Sequence, residues 1–194
     1  METLLQDLEL MRHHTKQFYG PQSLKLVVML CGLPGTGKST LAAHLSQEFG
    51  LVHLESDYLR RKLFGCPTHS GQESVRLFTA IYERARELLS EGYGLLFDST
   101  NLIESHRQIT YDIAQNAKAK LIIIRLVCSP SVVKSRLRQR VLREGQNSNA
   151  DWQVYKKLSK TEDQIIPKHY VLDASSEQVF SKATEIIIKE NAND

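Results

Sequence analysis

The chain has 194 residues, a formal net charge of +3, and 41% hydrophobic against 24% charged residues. Those proportions describe a globular protein, long enough as one domain over 1–194 to bury a core. The small net charge excludes a general nucleic-acid-coating role, and the sparse cysteines Cys31, Cys66 and Cys128 exclude a disulfide framework.

From the start, Thr3 to Arg12 reads as a short amphipathic helix, with Leu4, Leu5, Leu8 and Met11 at helical spacing. It forms a helical appendage over about 1–22, either packed on the domain or presented to another chain. The adjacent His13 and His14 read as its solvated end. Glu2, Asp7 and Glu9 do not suit a secretory leader, and no apolar run approaches membrane-spanning length. The expected location is the cytoplasm.

Next comes an apolar run, Leu24 to Cys31, interrupted only by Lys25 and read as a strand. It leads into Gly32-Leu33-Pro34-Gly35-Thr36-Gly37-Lys38-Ser39-Thr40 and a helix from Leu41 to Phe49, closed by Gly50. Gly32 to Ser39 fits the spacing G-x-x-x-x-G-K-S. Glycines let the backbone N–H groups turn inward into an anion nest, and the helix behind adds its N-terminal dipole. Lys38 then reaches the β- and γ-phosphates of ATP, and the Ser39 hydroxyl binds Mg²⁺.

Leu51 to Leu54 reads as a second strand ending at Glu55-Ser56-Asp57, with a short helix, Tyr58 to Phe64, after it. A longer helix, Glu73 to Ser90, carries the apolar stripe Leu77, Phe78, Ile81, Ala85, Leu88 and Leu89. Tyr93 to Phe97 is the third strand, running into Asp98-Ser99-Thr100-Asn101. A helix from Glu104 to Ala117 and a fourth strand, Leu121 to Val127, follow. Ser129 caps a basic helix, Pro130 to Arg143. Further on, a helix is expected over Ala150 to Ile165, a fifth strand at Tyr170 to Leu172, and a closing helix from Ser176 to Lys189. Strands alternating with helices predict an α/β fold with a parallel sheet covered on both faces. Ligands in such sheets bind at the carboxyl ends of the strands. The glycine-rich loop, Asp57, Asp98 and Ser129 should therefore gather on one rim.

Three constellations carry candidate chemistry. Asp57 and Arg60 share a helical face, the carboxylate suited to take a proton from a hydroxyl and the guanidinium to hold a substrate group; the alternative is a helix cap with a surface ion pair. Asp98, ending an apolar strand, is placed to hold Mg²⁺ together with Ser39, or else to make a local turn. Arg136 and Arg140 lie on one stripe of the basic helix, in a lid over about 131–150, where they would close on phosphates.

The motifs GLPGTGKST, SDYLR, FDSTN and the Arg136-x-x-x-Arg140 pair occur in the order of a P-loop kinase group. Over Leu24 to Ser175 the chain resembles the kinase domain of polynucleotide 5′-hydroxyl kinases and, more distantly, chloramphenicol phosphotransferase and zeta-toxin-like kinases. The resemblance implies a P-loop NTPase fold with strand order 2-3-1-4-5, Asp57 as general base, Arg60 as a substrate contact and Arg140 as the lid arginine on donor phosphate. It also puts Thr100, Asn101 and Arg107 on the substrate side. One departure is Tyr58, where the polynucleotide kinases carry a second acidic residue.

The expected activity is transfer of the γ-phosphate of ATP, with Mg²⁺, to a hydroxyl of a small acceptor. A polynucleotide end is less favoured, because basic and aromatic residues beyond the donor site are few. A non-transferring nucleotide switch would leave Asp57 and Arg60 without a task.

Overall fold

The computed structural model describes residues 2–15, 25–141 and 152–192, with the side chains of Arg140 and Val141 outside that description. The chain runs α1 (Glu2–His14), β1 (Leu26–Cys31), α2 (Lys38–Phe49), β2 (Val52–Glu55), α3 (Ser56–Phe64), α4 (Gly71–Ser90) and β3 (Leu95–Asp98). It continues through α5 (Glu104–Asn116), β4 (Lys120–Val127), α6 (Pro130–Val141), α7 (Trp152–Leu158), β5 (Tyr170–Asp173) and α8 (Val179–Asn191). The five strands are all parallel, in the order β2-β3-β1-β4-β5. This is the order that the resemblance implied.

The central strand shows why the order works. All six residues of β1 are buried, because helices cover both faces of the sheet. Strand side chains alternate between faces. Val27, Met29 and Cys31 enter one core with residues of α1, α3, α4 and α5, while Leu26, Val28 and Leu30 enter the other with residues of α2 and α8. Cys31, within the first core, has its thiol pushed up to about 12 by that burial and behaves as a small apolar residue.

The N-terminal helix packs on the molecule. Met11 is fully buried, and Asp7, also buried, receives two 2.7 Å bonds from the Arg76 guanidinium on α4. Arg12 pairs with Glu87. The expectation of two solvated histidines is corrected for one of them. His13 is exposed, but His14 is half-buried, its ring edge-on to Tyr58 with Nδ1 3.4 Å from the Tyr58 hydroxyl.

The helix expected over Ala150 to Ile165 is shorter; Ala150 and Asp151 fall outside the described residues, and the described part ends at Leu158. Two forces end it. The Ser159 and Thr161 hydroxyls turn back onto the carbonyls of Lys156 and Leu158, which competes with continued helix. The following residues are then drawn to the start of α5: Asp163 N–H donates to Leu102 O, and its carboxylate accepts from Glu104 N–H at 2.9 Å. The expected lid continues past Val141 into 142–150, outside the described residues. Other helices and strands differ from expectation by a few residues at their ends, as terminal turns do.

The Asp7–Arg76 pair gives a measurable expectation. Arg76→Met should lower the unfolding free energy by about 1–2 kcal/mol, because it leaves the Asp7 carboxylate without its partner at a site whose arginine side is open to water. The double variant Asp7→Asn/Arg76→Met should recover most of that loss in urea denaturation at neutral pH.

Candidate nucleotide and acceptor site

The loop between β1 and α2 depends on backbone that only glycine adopts without strain. Gly32 has φ +139°, and a Cβ there would lie 2.5 Å from the carbonyl oxygen of Leu126 on β4. Gly35 has φ +80°, and a Cβ would press at 3.0 Å on Val133 and Leu137 of α6. The loop is thus wedged between the sheet and the apolar stripe of α6.

Several bonds fix its path. Gly32 N–H donates to Thr100 O at 3.0 Å, and the Asn101 side-chain amide donates to Leu30 O at 2.7 Å. Lys38 Nζ and Thr36 Oγ1 both donate to Leu33 O, at 3.0 and 2.9 Å. Lys38 is thereby folded across the mouth of its own loop. Arg136, expected over phosphates, instead spends Nη1 on Thr36 O at 3.1 Å and Nη2 on Ala174 O at 2.9 Å. The reason is the packing of Val133 and Leu137 on Gly35, which sets this face of α6 against loop backbone. Arg140 lies on α6, but its side chain is outside the described residues.

Asp98 lies at the end of β3, close to His53. It is buried, its Oδ2 3.1 Å from His53 Nε2. Burial alone would push its carboxyl up. The bond and charge of His53, the charge of Lys38 and the hydroxyl of Ser39 outweigh that, holding the carboxyl below its ordinary value. One ligand atom each from His53, Glu55 and Asp98 lies within 4.8 Å of the others. Hard oxygen donors from Ser39 and Asp98, with Glu55 near, fit the preference of Mg²⁺.

A cavity of about 910 Å³ runs from this loop across the strand ends. Pro34, Gly35, Gly37, Lys38, Ser39, Thr40, Asp57, Arg60, Asp98, Thr100 and Asn101 line it, so most of the residues singled out in the sequence meet there. Gly32, Leu33, Thr36 and Ser129 are not among its lining. Asp57 falls in the first turn of α3, whose N-cap is Glu55, so it does not cap the helix. Among the described residues, no hydrogen bond or ion pair engages its carboxylate. Arg60 is buried, with Nη2 donating to Ser74 Oγ at 3.2 Å and Nη1 3.6 Å from Glu73.

Two expected substrate-side residues serve the scaffold. Thr100 and Asn101 border the cavity, yet the Thr100 carbonyl and the Asn101 amide hold the glycine loop. Arg107 is corrected outright: it is 1% exposed and absent from the cavity lining. Its guanidinium donates to the carbonyls of Asn101, Asp163 and Gln164 and pairs with Glu104. It was the tether of 163–164 that the sequence did not reveal. His53, Phe78 and Tyr82 were missed as neighbours of the site. Strand alternation, which puts His53 and Glu55 on one face of β2, was the one signal available for His53.

The sheet order, the glycine loop and the covering helices define a P-loop kinase fold. A family profile described as an AAA domain (AAA_33) matches residues 27–163, and the chain belongs to that family. Among solved structures, a gluconokinase from Sinorhizobium meliloti 1021 has a TM-score of 0.63 at 18% identity, covering 89% of this chain and 97% of its own. The APS kinase CysC of Mycobacterium tuberculosis, solved with AMPPNP and APS, has 0.64 at 16%, covering 86% and 97%. Kti12 of Chaetomium thermophilum, solved with ADP-AlF3, has 0.61 at 19%, covering 82% and 97%. These likenesses establish the shared fold. An uncharacterised protein of Mycobacterium tuberculosis strain H37Rv is 28% identical over 137 residues, 64% of this chain. The match spans 27% of that relative's length. No helix among the described residues is long and apolar enough to cross a membrane.

Gly32→Ala tests the wedge. The variant should lose at least about 2 kcal/mol of stability from backbone strain alone, read as a lowered midpoint in thermal or urea unfolding. Gly65→Ala, at positive φ with no atom within 4 Å of the added Cβ, should lose less.

Proposed function

We propose that the protein is a kinase that moves the γ-phosphate of ATP to the hydroxyl of a small acceptor. The observation that carries this reading is the Asp57 carboxylate, unengaged by any described residue, in the same cavity as Lys38, Ser39 and Asp98. A nucleotide-binding module that transfers nothing has no use for a carboxylate kept available at that place.

The geometry supports the following roles. The loop N–H groups and Lys38 hold the donor phosphates, with Lys38 exchanging its bond to Leu33 O for phosphate oxygen. Ser39 and Asp98 would hold Mg²⁺, which when bound neutralises phosphate charge. Asp57 orients the acceptor hydroxyl and takes its proton as the new oxygen–phosphorus bond forms and the bond to the β,γ-bridging oxygen breaks, releasing ADP. Arg136 positions the loop through Thr36 O and the end of β5 through Ala174 O. On the sequence pattern, Arg140 supplies the lid cation. ATP as the donor, and a cytoplasmic location, belong to this proposal.

Two variants test it. Lys38→Ala should cut phosphoryl transfer at least about 10²-fold, the scale of losing one charge-stabilising donor, while the protein still folds. Asp57→Asn should leave Mg-ATP affinity unchanged and cut transfer by about 10²–10⁴-fold, the scale of a general base. Transfer and nucleotide affinity are measured separately, by ADP release and equilibrium binding. If Asp57→Asn abolishes Mg-ATP binding instead, the carboxylate serves the metal and the base assignment fails.

A further inference from the structure

The far end of the cavity has a composition of its own. Away from the glycine loop its wall comes from α4, the start of α5 and α7, and its apolar part includes Val75, Phe78, Ile103, Ile109, Val154 and Leu158. Val75 is 70% exposed and Val154 39%. Apolar surface left open at the mouth of a cleft is normally kept for a ligand.

The charges are as telling. Among the described residues, Lys38 and Arg60 are the only lysine and arginine that line the cavity, and Lys38 belongs to the donor loop. Arg61 and Lys62, the next residues of α3, do not line the cavity. Lys62 lies over the Tyr58 ring, 5.4 Å from its centroid. Tyr58 itself faces α1 through His14. One described cation and a mainly apolar wall, with Thr79, Tyr82, His106 and Thr161 set into it, do not make a track for successive phosphates.

Arg60 is only partly paired, through Nη2 to Ser74 Oγ and at 3.6 Å to Glu73. Its side chain is 8% exposed, and its Nε and Nη1 are buried without a hydrogen-bond acceptor among the described residues. The nearest carboxylate, Glu73, is occupied by the N–H groups of Thr68 and His69 and the Thr68 hydroxyl. Those bonds lead the causes that lower its pKa. Buried donors left unpaired are costly, and an anionic oxygen is the group that best relieves a guanidinium. Asp57 and Arg60 stand one helical turn apart, so the reacting hydroxyl and this anion are only a few bonds apart in the acceptor.

We propose that the acceptor is a hydroxy acid with an apolar, aromatic or branched body, its carboxylate on Arg60, its hydroxyl at Asp57 and its body against the wall around Val75 and Phe78. The assignment rests on the kinase reading. In the transfer, the acceptor oxygen gains the γ-phosphorus, its proton passes to Asp57, and ADP leaves.

The test separates affinity from turnover. Equilibrium binding to the full chain with Mg-ADP present is measured for 3-phenyllactate, its primary amide, 3-phenylpropane-1,2-diol, D-gluconate and an oligothymidylate with a free 5′-hydroxyl. The expected order puts 3-phenyllactate first, at least about tenfold above both the amide and gluconate, the scale of one hydrogen bond to a charged group. Arg60→Gln should erase the margin of acid over amide. If that variant does not fold, Val75→Glu, at an exposed position, should weaken 3-phenyllactate about tenfold by adding like charge to the wall. Gluconate or the oligonucleotide binding best, or acid and amide binding equally, would overturn the assignment. Mg-ADP affinity and ADP release from Mg-ATP are followed in parallel. Loss of nucleotide binding defeats the kinase reading, whereas a wrong affinity order with nucleotide binding intact defeats only the acceptor class.

Discussion

The structure turns on one close approach. Where β1 ends, the chain must pass the carbonyl of Leu126 on the neighbouring strand with no room for a Cβ, and Gly32 is the residue that passes. Everything at the donor end is arranged around that crossing. The loop after β3 reaches across with Thr100 O and the Asn101 amide to hold both sides of the turn. From the opposite direction, α6 lays Val133 and Leu137 on Gly35 and fastens Thr36 O with Arg136. A loop made of glycines is entropically expensive to order, and here the neighbours supply that order before any phosphate arrives. Such preorganisation suits a site whose chemistry is mostly positioning and charge.

Electrostatics then distribute the labour along the strand ends. Asp98 and Lys38 influence each other across the loop, with His53 sharing the carboxylate. That arrangement favours the ionised form of a buried acid. One strand away, Asp57 is half-buried, has no described hydrogen-bond partner, and sits at the start of a helix whose cap is a different residue. Two aspartates, both at strand ends, thus acquire different surroundings from the elements that follow them. β3 opens into a loop that bonds backward to the sheet, while β2 passes directly into a helix.

The sequence made the donor end legible because its requirements are local. A glycine spacing, a lysine and a hydroxyl after an apolar strand state the geometry in consecutive residues, and the alternation of strands and helices states the parallel sheet. The acceptor end was less legible, because its wall is assembled from α4, α5 and α7, which are distant in the chain. Arg107 shows the difficulty most clearly. On a helix after a motif it looks like a substrate residue, but carbonyls at 163 and 164 absorb its guanidinium, and nothing near residue 107 announces them. The early end of α7 has the same origin. Ser159 and Thr161 hinted at it, but the pull of Asp163 toward Leu102 is tertiary.

That clamp joins parts of the site that the sheet does not. The cavity wall on α7 reaches the rest of the molecule partly through the bonds of 163–164 to Arg107, and Arg107 also holds the carbonyl of Asn101, whose amide braces the glycine loop. The apolar side chains of the cavity wall, among them Val75, Phe78, Val154 and Leu158, take no part in that chain of bonds. Each could be exchanged for another apolar residue without disturbing a hydrogen bond of the donor cradle. The architecture therefore separates what is handled from how it is handled: a fold of this kind is free to drift in diet while its engine stays fixed.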